Sequence, residues 1–331
     1  MRLALRLHGG LPAAACVEQA RAAERAGFGT VWFAENPFNR GVLPAMVACA
    51  LATTTIRIGI GVFNPFNRHP TLIAMEMGAL DELSGGRAVL GIGAGIKIAQ
   101  MGLPAHRPIA AVRDAMQIIR PLLRGEEVDY EGKIFKAEKV RLEFPLRRAS
   151  LPILMAAVGD QALRLAGELA DGLMISNMSP PAYTRRAVGI MTAAAQAAGR
   201  SRPSEVIQYA PCAIEADGRE ARRLAKNLVG GMLSAFWRGG KASAATQSAL
   251  RDYSGVDPDA FARMMARLGA RASGESVFDD RFAALYSVAG SPQECRGALR
   301  VYGEAGVTEL GVWFAADRAI ESIERLGRVL G

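Results

Sequence analysis

Apolar and polar residues alternate along the chain in two periods, which predict strands and helices in regular succession. Residues 2–8 alternate at every second position, as in a strand. Residues 13–26 place Cys16, Ala20 and Ala23 on one face of a helix, and Gly27 follows as its carboxyl-terminal cap. The same patterns predict strands at 30–33, 56–62 and 88–92 and helices at 42–52 and 70–83.

A helix–glycine–strand unit recurs near the two ends of the chain. Glu24–Phe33 resembles Glu304–Phe314, since each contains a helix end, a glycine and an apolar strand with a Trp-Phe pair. Repeated βα units of this kind indicate a closed parallel barrel. Further strands are predicted at 152–157, 172–177, 205–214 and 308–314. The chain is therefore expected to form an α/β fold, a (βα)8 TIM barrel, in a single domain spanning 1–331.

Two segments interrupt the repeated pattern. Residues 128–135 carry turn residues between alternating apolar positions and predict a hairpin after the fourth predicted strand, 88–92. Residues 238–282 follow the seventh predicted strand, 205–214, and its helix. They are richer in glycine, serine and charge, and they contain helical patterns near 242–252 and 258–270. We expect this second insertion near the barrel mouth, where it would cover an active site. An oligomer contact is the alternative.

Composition excludes several classes of protein. Half of the 331 residues are hydrophobic, and no run reaches about 18 uninterrupted apolar residues, so no membrane span is expected. The strand-like opening lacks the apolar core of a signal peptide, which favours a cytoplasmic location. The four cysteines lie far apart without a Cys-x-x-Cys pair. They predict buried, reduced thiols and no metal site.

The net charge of +8 is carried almost wholly by arginine, because lysine occurs at only six positions. Arginine suits the recognition of phosphate and carboxylate groups, although many of these residues are expected on a solvated surface. No basic run is interleaved with aromatic residues, which argues against nucleic-acid binding. We therefore expect a small-molecule ligand, with no nucleic-acid or membrane partner.

Ligands bind barrels of this type at the carboxyl ends of the strands. The candidates at those ends are His8, Glu35 with Asn36, residues 61–68, residues 93–97, residues 156–160, and Ser176 with Asn177. Glycines there let the backbone approach a flat or anionic ligand. Ala157–Asp160 lies between a strand and a helix, where free amides can hold a phosphate. The alternative is an ordinary βα turn with Asp160 as the helix N-cap.

Three motifs give the chain a resemblance to the bacterial luciferase-like superfamily, whose barrels bind a flavin or the deazaflavin coenzyme F420. They are Arg68-His69-Pro70, the run Leu83–Arg87 leading to Leu90–Gly95, and Leu165–Gly172. The resemblance extends from residue 1 to about 325. Within the superfamily, the segment Asn64–Pro70 is most similar to the methylene-tetrahydromethanopterin reductase branch.

The resemblance implies an F420-dependent oxidoreductase, acting as a homodimer, that transfers a hydride to or from a small organic substrate. A methylene-tetrahydropterin-type C1 carrier is one candidate substrate. It also implies a non-proline cis peptide at Gly61–Val62, placed against the cofactor ring. The implied cofactor-binding residues are Gly61, Val62, Phe63, Asn64, Gly93, Ala94, Gly95, Ala156, Ala157, Val158, Gly159, Ser176 and Asn177. Alternatives are a reduced-FMN-dependent monooxygenase and a catalytically silent cofactor-binding barrel.

The chain departs from the reductase pattern at three strand ends. Reductases commonly carry an acidic residue after the strand 4 glycines, where this chain has Ile96. They often have Asp-His after strand 2, which is Glu35-Asn36 here. Their strand 1 tends to supply a carboxylate, whereas this chain offers Arg6 and His8. The proton relay is therefore expected to differ.

The expected catalytic residues are Glu35, Asn36 and His8. Glu35 and His8 can supply the proton that accompanies a hydride, whereas the Asn36 amide can only orient a substrate. Glu35 could instead be a structural carboxylate bonded to strand-end amides or to Arg68. His8 could be a loop histidine without a role. His69 precedes a proline at a helix start and is predicted to cap that helix or to pack against it.

Overall fold

The computed structural model describes residues 1–95, 99–103, 106–238 and 243–330. Its strands, in chain order, are β1 (Arg2–Arg6), β2 (Thr30–Phe33), β3 (Arg57–Phe63), β4 (Ala88–Ile92), β5 (Val128–Glu131), β6 (Lys136–Val140), β7 (Ile153–Ala156), β8 (Gly172–Ile175), β9 (Glu205–Ile214), β10 (Val288–Gly290) and β11 (Glu309–Trp313). Within the described ranges, eight of these strands pair in parallel in the order β1-β2-β3-β4-β7-β8-β9-β11, and β11 pairs with β1. The predicted TIM barrel is confirmed.

Helices surround the barrel and connect its strands. They are α1 (Ala13–Arg25), α2 (Val42–Ala52), α3 (Pro70–Leu83), α4 (Pro108–Leu122), α5 (Asp160–Leu169), α6 (Pro181–Ala197), α7 (Gly218–Trp237), α8 (Ala244–Arg251), α9 (Pro258–Gly269), α10 (Gly274–Val277), α11 (Asp280–Ala284), α12 (Pro292–Glu304) and α13 (Ala319–Leu330). Short 3₁₀ turns lie at Ala99–Met101 and Ala316–Arg318. The predicted hairpin is present as antiparallel β5 and β6, which follow α4.

Alternation along the strands separates two apolar layers. Leu3, Leu5 and Leu7 join the main core between the barrel and the helices. Ala4 instead faces the lumen, where it packs in a second cluster with Trp32 and other inward side chains. Two-residue alternation in a closed barrel requires this division, because successive side chains point to opposite faces of the sheet.

An ion-pair network lies at the amino-terminal end of the lumen. Its members, each the first residue of its strand, are Arg2, Arg57, Glu205 and Glu309. Glu309 is fully buried, and its carboxylate accepts hydrogen bonds from the Trp32 indole at 2.9 Å and the Thr30 hydroxyl at 3.1 Å. Since this network fills one end, a ligand would reach the lumen from the opposite end, where the strands terminate.

The insertion that follows α7 forms a small apolar core of its own. Phe261 of α9 and Phe282 of α11 pack with α7 side chains and with Met178, which lies just after β8. Residues 239–242 of this insertion lie outside the described residues. The short strand β10, which pairs with the carboxyl end of β9, was not predicted from the sequence. It is too short to produce a recognisable period.

The cysteines agree with the prediction, since all four are buried and unpaired. In the described ranges, no helix combines the length and the apolar character that crossing a membrane requires. Nor do three or more His, Cys, Asp or Glu side chains of the described chain meet in an arrangement that could hold a metal ion.

Candidate functional site

The carboxyl ends of β3, β4 and β7 form a wall of small residues. The peptide bond between Gly61 and Val62 is cis, at the position that the resemblance implied. Val62 and Ala156 pack together on the lumen side. A Cβ placed on Gly93 would come within 3.2 Å of both side chains, so the wall has little room for larger residues. A flat ring can lie against such a surface.

Phe63 and Asn64 support this wall from behind. The Phe63 side chain is fully buried in the outer core, so only its backbone is placed near a ligand. Asn64 is also buried, and its Oδ1 accepts a hydrogen bond from the Phe66 N–H at 2.9 Å. A Cβ on Gly95 would overlap the Asn64 amide, and the Gly95 φ of +73° also favours glycine. Ala94 packs partly against the main core, and Ile96 lies outside the described residues.

The turn from β7 into α5 is the predicted phosphate site. Gly159, not Asp160, is the N-cap of α5, and no side chain caps the helix. The expectation that Asp160 caps α5 was therefore wrong. Its carboxylate instead accepts two hydrogen bonds of 2.8 Å from Arg186, which lower the Asp160 pKa. Because Asp160 is occupied elsewhere, the amides of the first turn have no side-chain acceptor.

Residues of α6 and of the insertion hold this turn in place. The Tyr183 hydroxyl donates a hydrogen bond to the Val158 carbonyl, and burial raises the pKa of Tyr183. Tyr183 also meets the ring of Tyr253, an insertion residue, edge to face with centroids 5.4 Å apart. The Ala157 N–H donates to the Met174 carbonyl at 3.3 Å, so this amide extends the sheet. Of Ala157, Val158 and Gly159, which the resemblance implies as cofactor-binding residues in this turn, Gly159 is thus the best placed for an anion.

Ser176, Asn177 and His8 lie at one side of the mouth. Ser176 is half-buried, and Asn177, which follows it, is buried with its Oδ1 accepting a hydrogen bond from the Trp313 indole at 3.2 Å. Trp313 in turn meets the His8 ring edge to face at 5.1 Å. The His8 Nε2–H donates to the Phe314 carbonyl at 3.1 Å. Trp313 therefore joins two of the predicted residues, although sequence reasoning did not select it.

Glu35 is the carboxylate of the predicted catalytic group. Its Oε1 accepts a hydrogen bond from Arg68 at 2.9 Å, and Asn67 lies 3.4 Å from Oε2. Arg68 also binds both Glu76 oxygens at 2.6 Å. Burial raises the pKa of Glu76 against the opposing effect of Arg68. Arg68 therefore pairs with both Glu35 and Glu76. The sequence analysis gave a structural contact between Glu35 and Arg68 as the alternative role of Glu35, and this contact is present.

Asn36 is held beside the end of β1. A Cβ on Gly9 would overlap the Asn36 amide, so glycine at position 9 lets the two loops approach each other. His69 caps α3 as predicted, since its ring accepts a hydrogen bond from the Thr71 N–H at 3.3 Å. His69 is thereby assigned to helix capping.

Sequence reasoning missed Glu76, Tyr183 and Arg186. A weak signal existed for the last two, which stand three residues apart and therefore share a face of α6. No local signal singles out Glu76, because its link to Glu35 passes through Arg68, whose loop between β3 and α3 meets the end of β2 only in the folded barrel.

A family model described as luciferase-like monooxygenase matches residues 2–309. The chain belongs to this family. The match includes β1 to β4, the β7–α5 turn and the insertion, and it ends before Trp313 and Phe314.

Relatives of this luciferase-like barrel are similar over most of their length. The 5,10-methylenetetrahydromethanopterin reductase of Archaeoglobus fulgidus is 33% identical over 318 residues, which cover 92% of this chain and 91% of the relative. The enzyme of that name from Methanolobus tindarius is 31% identical, with coverage of 88% and 87%. The structure of coenzyme F420 dependent tetrahydromethanopterin reductase from Methanopyrus kandleri has a TM-score of 0.86 at 26% identity and covers 99% of this chain and 97% of that chain.

Proposed function

We propose that this protein is an F420-dependent oxidoreductase that transfers a hydride between the deazaflavin and a methylene-tetrahydropterin-type C1 carrier. The similarity to 5,10-methylenetetrahydromethanopterin reductase over 92% of the chain carries this proposal. The similarity of the fold to the coenzyme F420 dependent tetrahydromethanopterin reductase of Methanopyrus kandleri, with a TM-score of 0.86, supports it.

The residues at the mouth fit a flat ligand with an anionic tail. Glycine and alanine at the ends of β3, β4 and β7 leave a smooth wall for a ring. The first turn of α5 has no side-chain cap and offers its amides to a phosphate. A Cβ placed on Gly159 would meet only the Ala245 Cβ, at 3.6 Å, among the described residues, so there is space beside this glycine. Arg186 neutralises the Asp160 carboxylate that lies in this turn. We assign the ring to the Gly61–Val62 wall and the phosphate to Gly159.

The reduced coenzyme, when bound, supplies the hydride, so the protein has to orient the substrate and move one proton. Arg68 holds the Glu35 carboxylate at a fixed position at the end of β2. The Phe314 carbonyl and the Trp313 ring position His8 at the end of β1. Both side chains are titratable and lie at the mouth, and we propose them as the sources of the proton, with Asn36 orienting the substrate.

A comparative titration tests the cofactor. The purified protein is titrated separately with F420, FMN and NADPH, and binding is followed by fluorescence. Selective tight binding of F420, followed by oxidation of reduced F420 on addition of a methylene-tetrahydropterin, is the expected result. Selective binding of FMN would instead favour the monooxygenase alternative. Binding of F420 without turnover of any C1 carrier would favour a catalytically silent barrel.

We also propose that the 238–282 insertion covers the mouth. Its helix α8 places Ala245 close to Gly159, and Tyr253 contacts Tyr183 beside the same turn. Hydrogen exchange tests this placement, because F420 should slow exchange of the amides of α8 but not those of the distant helix α13. Equal exchange of α8 with and without F420 would contradict it.

A homodimer is proposed from the surface of α2 and α3. These neighbouring helices expose large apolar side chains: Val47, Leu51, Leu72 and Met75. Exposed apolar patches of this kind mark interaction surfaces. In sedimentation at micromolar concentration, the double variant Leu51→Glu with Leu72→Glu should be monomeric. Val301→Glu, on α12, should remain dimeric as the control, and a monomeric wild type would refute the proposal. The cytoplasmic location stays a prediction from the sequence.

A further inference from the structure

The lumen contains a buried arginine, Arg6, whose guanidinium has no anionic partner among the described residues. Arg6 is the last residue of β1 and follows the inward alternation of Ala4, opposite to Leu5. Only 7% of the residue is exposed. In the part of the chain that the structure describes, no carboxylate lies within ion-pair distance, and its Nε makes no hydrogen bond. This cation is therefore buried without a counter-ion among the described residues.

The other arginines of the lumen show how unusual Arg6 is. Arg2 and Arg57 each contact both Glu205 and Glu309 at the amino-terminal end of the barrel. Two cations meet two carboxylates there, so Arg6 leaves the described lumen with one unbalanced positive charge. Burial lowers the pKa of Arg6, yet arginine remains charged in proteins. An uncompensated buried charge is unfavourable, and an anion in the lumen would remove that cost.

Tyr209 provides a second unsatisfied donor in the same space. Its ring centroid lies 5.8 Å from the Arg6 Cζ atom. The hydroxyl is buried and has no hydrogen-bond partner among the described residues. Burial raises the pKa of Tyr209, so the O–H keeps its proton and can donate it to an acceptor. A Cβ on Gly61 would overlap the hydroxyl oxygen, which places this donor directly against the wall at β3.

We propose that Arg6 and Tyr209 bind a planar oxyanion, such as a carboxylate, on a ligand that enters through the barrel mouth. The arginine fork donates parallel N–H bonds to paired oxygens, and the tyrosine hydroxyl adds a further donor. The inference deepens the proposed function and rests on it only for the source of the oxyanion. Either the organic substrate or the coenzyme ring can present such an oxygen.

Calorimetry on the apoprotein tests the site with benzoate and with benzamide, a neutral molecule of matched shape. The wild type should bind benzoate at least tenfold more tightly than benzamide. Arg6→Met and Tyr209→Phe should each weaken benzoate binding at least tenfold while leaving benzamide binding unchanged. Arg6→Lys keeps the charge without the fork and should give a smaller loss.

Thermal unfolding separates a ligand-binding arginine from a structural one. Because Arg6 has no anionic partner to lose, and methionine can still pack against the Tyr209 ring, the apo Arg6→Met protein should unfold at the wild-type temperature or above it. Arg57→Met, which breaks the paired network, should lower the unfolding temperature and serves as the contrast. A large fall in the unfolding temperature of Arg6→Met would assign Arg6 to the scaffold and contradict the inference.

Two binding results would overturn the inference. The first is an equal affinity of the wild type for benzoate and for benzamide. The second is an unchanged affinity for benzoate in both Arg6→Lys and Tyr209→Phe. These two variants test the site even if Arg6→Met does not fold. F420 titration of Arg6→Met then identifies the source: a tenfold weaker affinity assigns the oxyanion to the coenzyme, and an unchanged affinity assigns it to the substrate. A wild type that binds benzoate but not F420 would refute the proposed function and leave this site standing.

Discussion

Gly159→Asp tests the proposed phosphate site with opposite expectations for stability and for binding. Gly159 has φ −81° and ψ 157°, which any residue adopts, and a Cβ there would lie 3.6 Å from Ala245 in ordinary contact. Aspartate is also a better N-cap than glycine, by a few tenths of a kcal/mol. The free energy of unfolding should therefore stay within about 0.5 kcal/mol of wild type.

The affinity for the cofactor, unlike the stability, should change in Gly159→Asp. Coulomb's law gives about 3 kcal/mol of repulsion between two unit charges about 5 Å apart at an effective dielectric constant of about 20. Salt reduces this repulsion, and Arg186 is already paired with Asp160. We therefore expect Gly159→Asp to weaken F420 binding at least tenfold, or about 1.4 kcal/mol.

Gly159→Asn is the matched control, because it has nearly the same shape and capping ability without the charge. Affinities of the three proteins are measured by fluorescence titration at low and high salt, and their stabilities by urea unfolding. The loss in Gly159→Asp should exceed that in Gly159→Asn and should shrink with added salt. Wild-type affinity in Gly159→Asp would refute the assignment and leave Gly159 as a helix cap alone.

Three further predictions address the barrel and its mouth. Glu309→Gln removes the one fully buried charge of the four-residue ion-pair network and should cost about 3–5 kcal/mol of stability. With an unfolding entropy of about 0.7 kcal/mol/K for a chain of 331 residues, the melting temperature should fall by about 4–7 °C, whereas Glu324→Gln on the surface should change it little. Burial opposes ionisation of Glu24, but N–H groups of residues 54–56 outweigh it and lower its pKa from 4.5 to about 2. The ionised Glu24 should therefore stabilise the fold by about 1 kcal/mol after screening above pH 4.5, and this contribution should be lost as the pH falls through 2. In urea unfolding across this pH range, Glu24→Gln should not show that loss of stability. Glu35→Gln and His8→Gln should each keep cofactor affinity but slow turnover about 10²-fold if that residue is the acid, as read by stopped-flow oxidation of reduced F420 across pH. Wild-type rates and pH profiles in both would show that the proton comes from elsewhere.

Local chemistry made much of the barrel predictable. Strand β9 occupies the predicted residues 205–214, because a run of apolar and β-branched residues bounded by polar turns is a local signal. The glycines of β3 and β4 likewise indicated where a backbone approaches a ligand, since only the absence of a side chain leaves that room. The position of the cis peptide came from the resemblance at Gly61–Val62 and not from any periodicity.

Contacts between distant parts of the chain were decided only by the tertiary structure. Asp160 was expected to cap α5, but Arg186, 26 residues later, takes its carboxylate once α6 packs beside α5. Arg68 lies in the loop between β3 and α3, and it joins Glu76 of α3 to Glu35 only because this loop meets the end of β2. Neither pairing has a sequence period, since each depends on the packing of whole elements.

The lumen shows the same division between local pattern and closure. Alternation in β1 by itself determined that Arg6 and Ala4 share a face. Closure of the barrel decided that Arg2 meets Glu309, 307 residues away, whereas Arg6 meets an aromatic ring and no described carboxylate. The physical reason is that strand register sets which charges stand at the same height in the lumen, and register is a property of the closed sheet, not of any one strand.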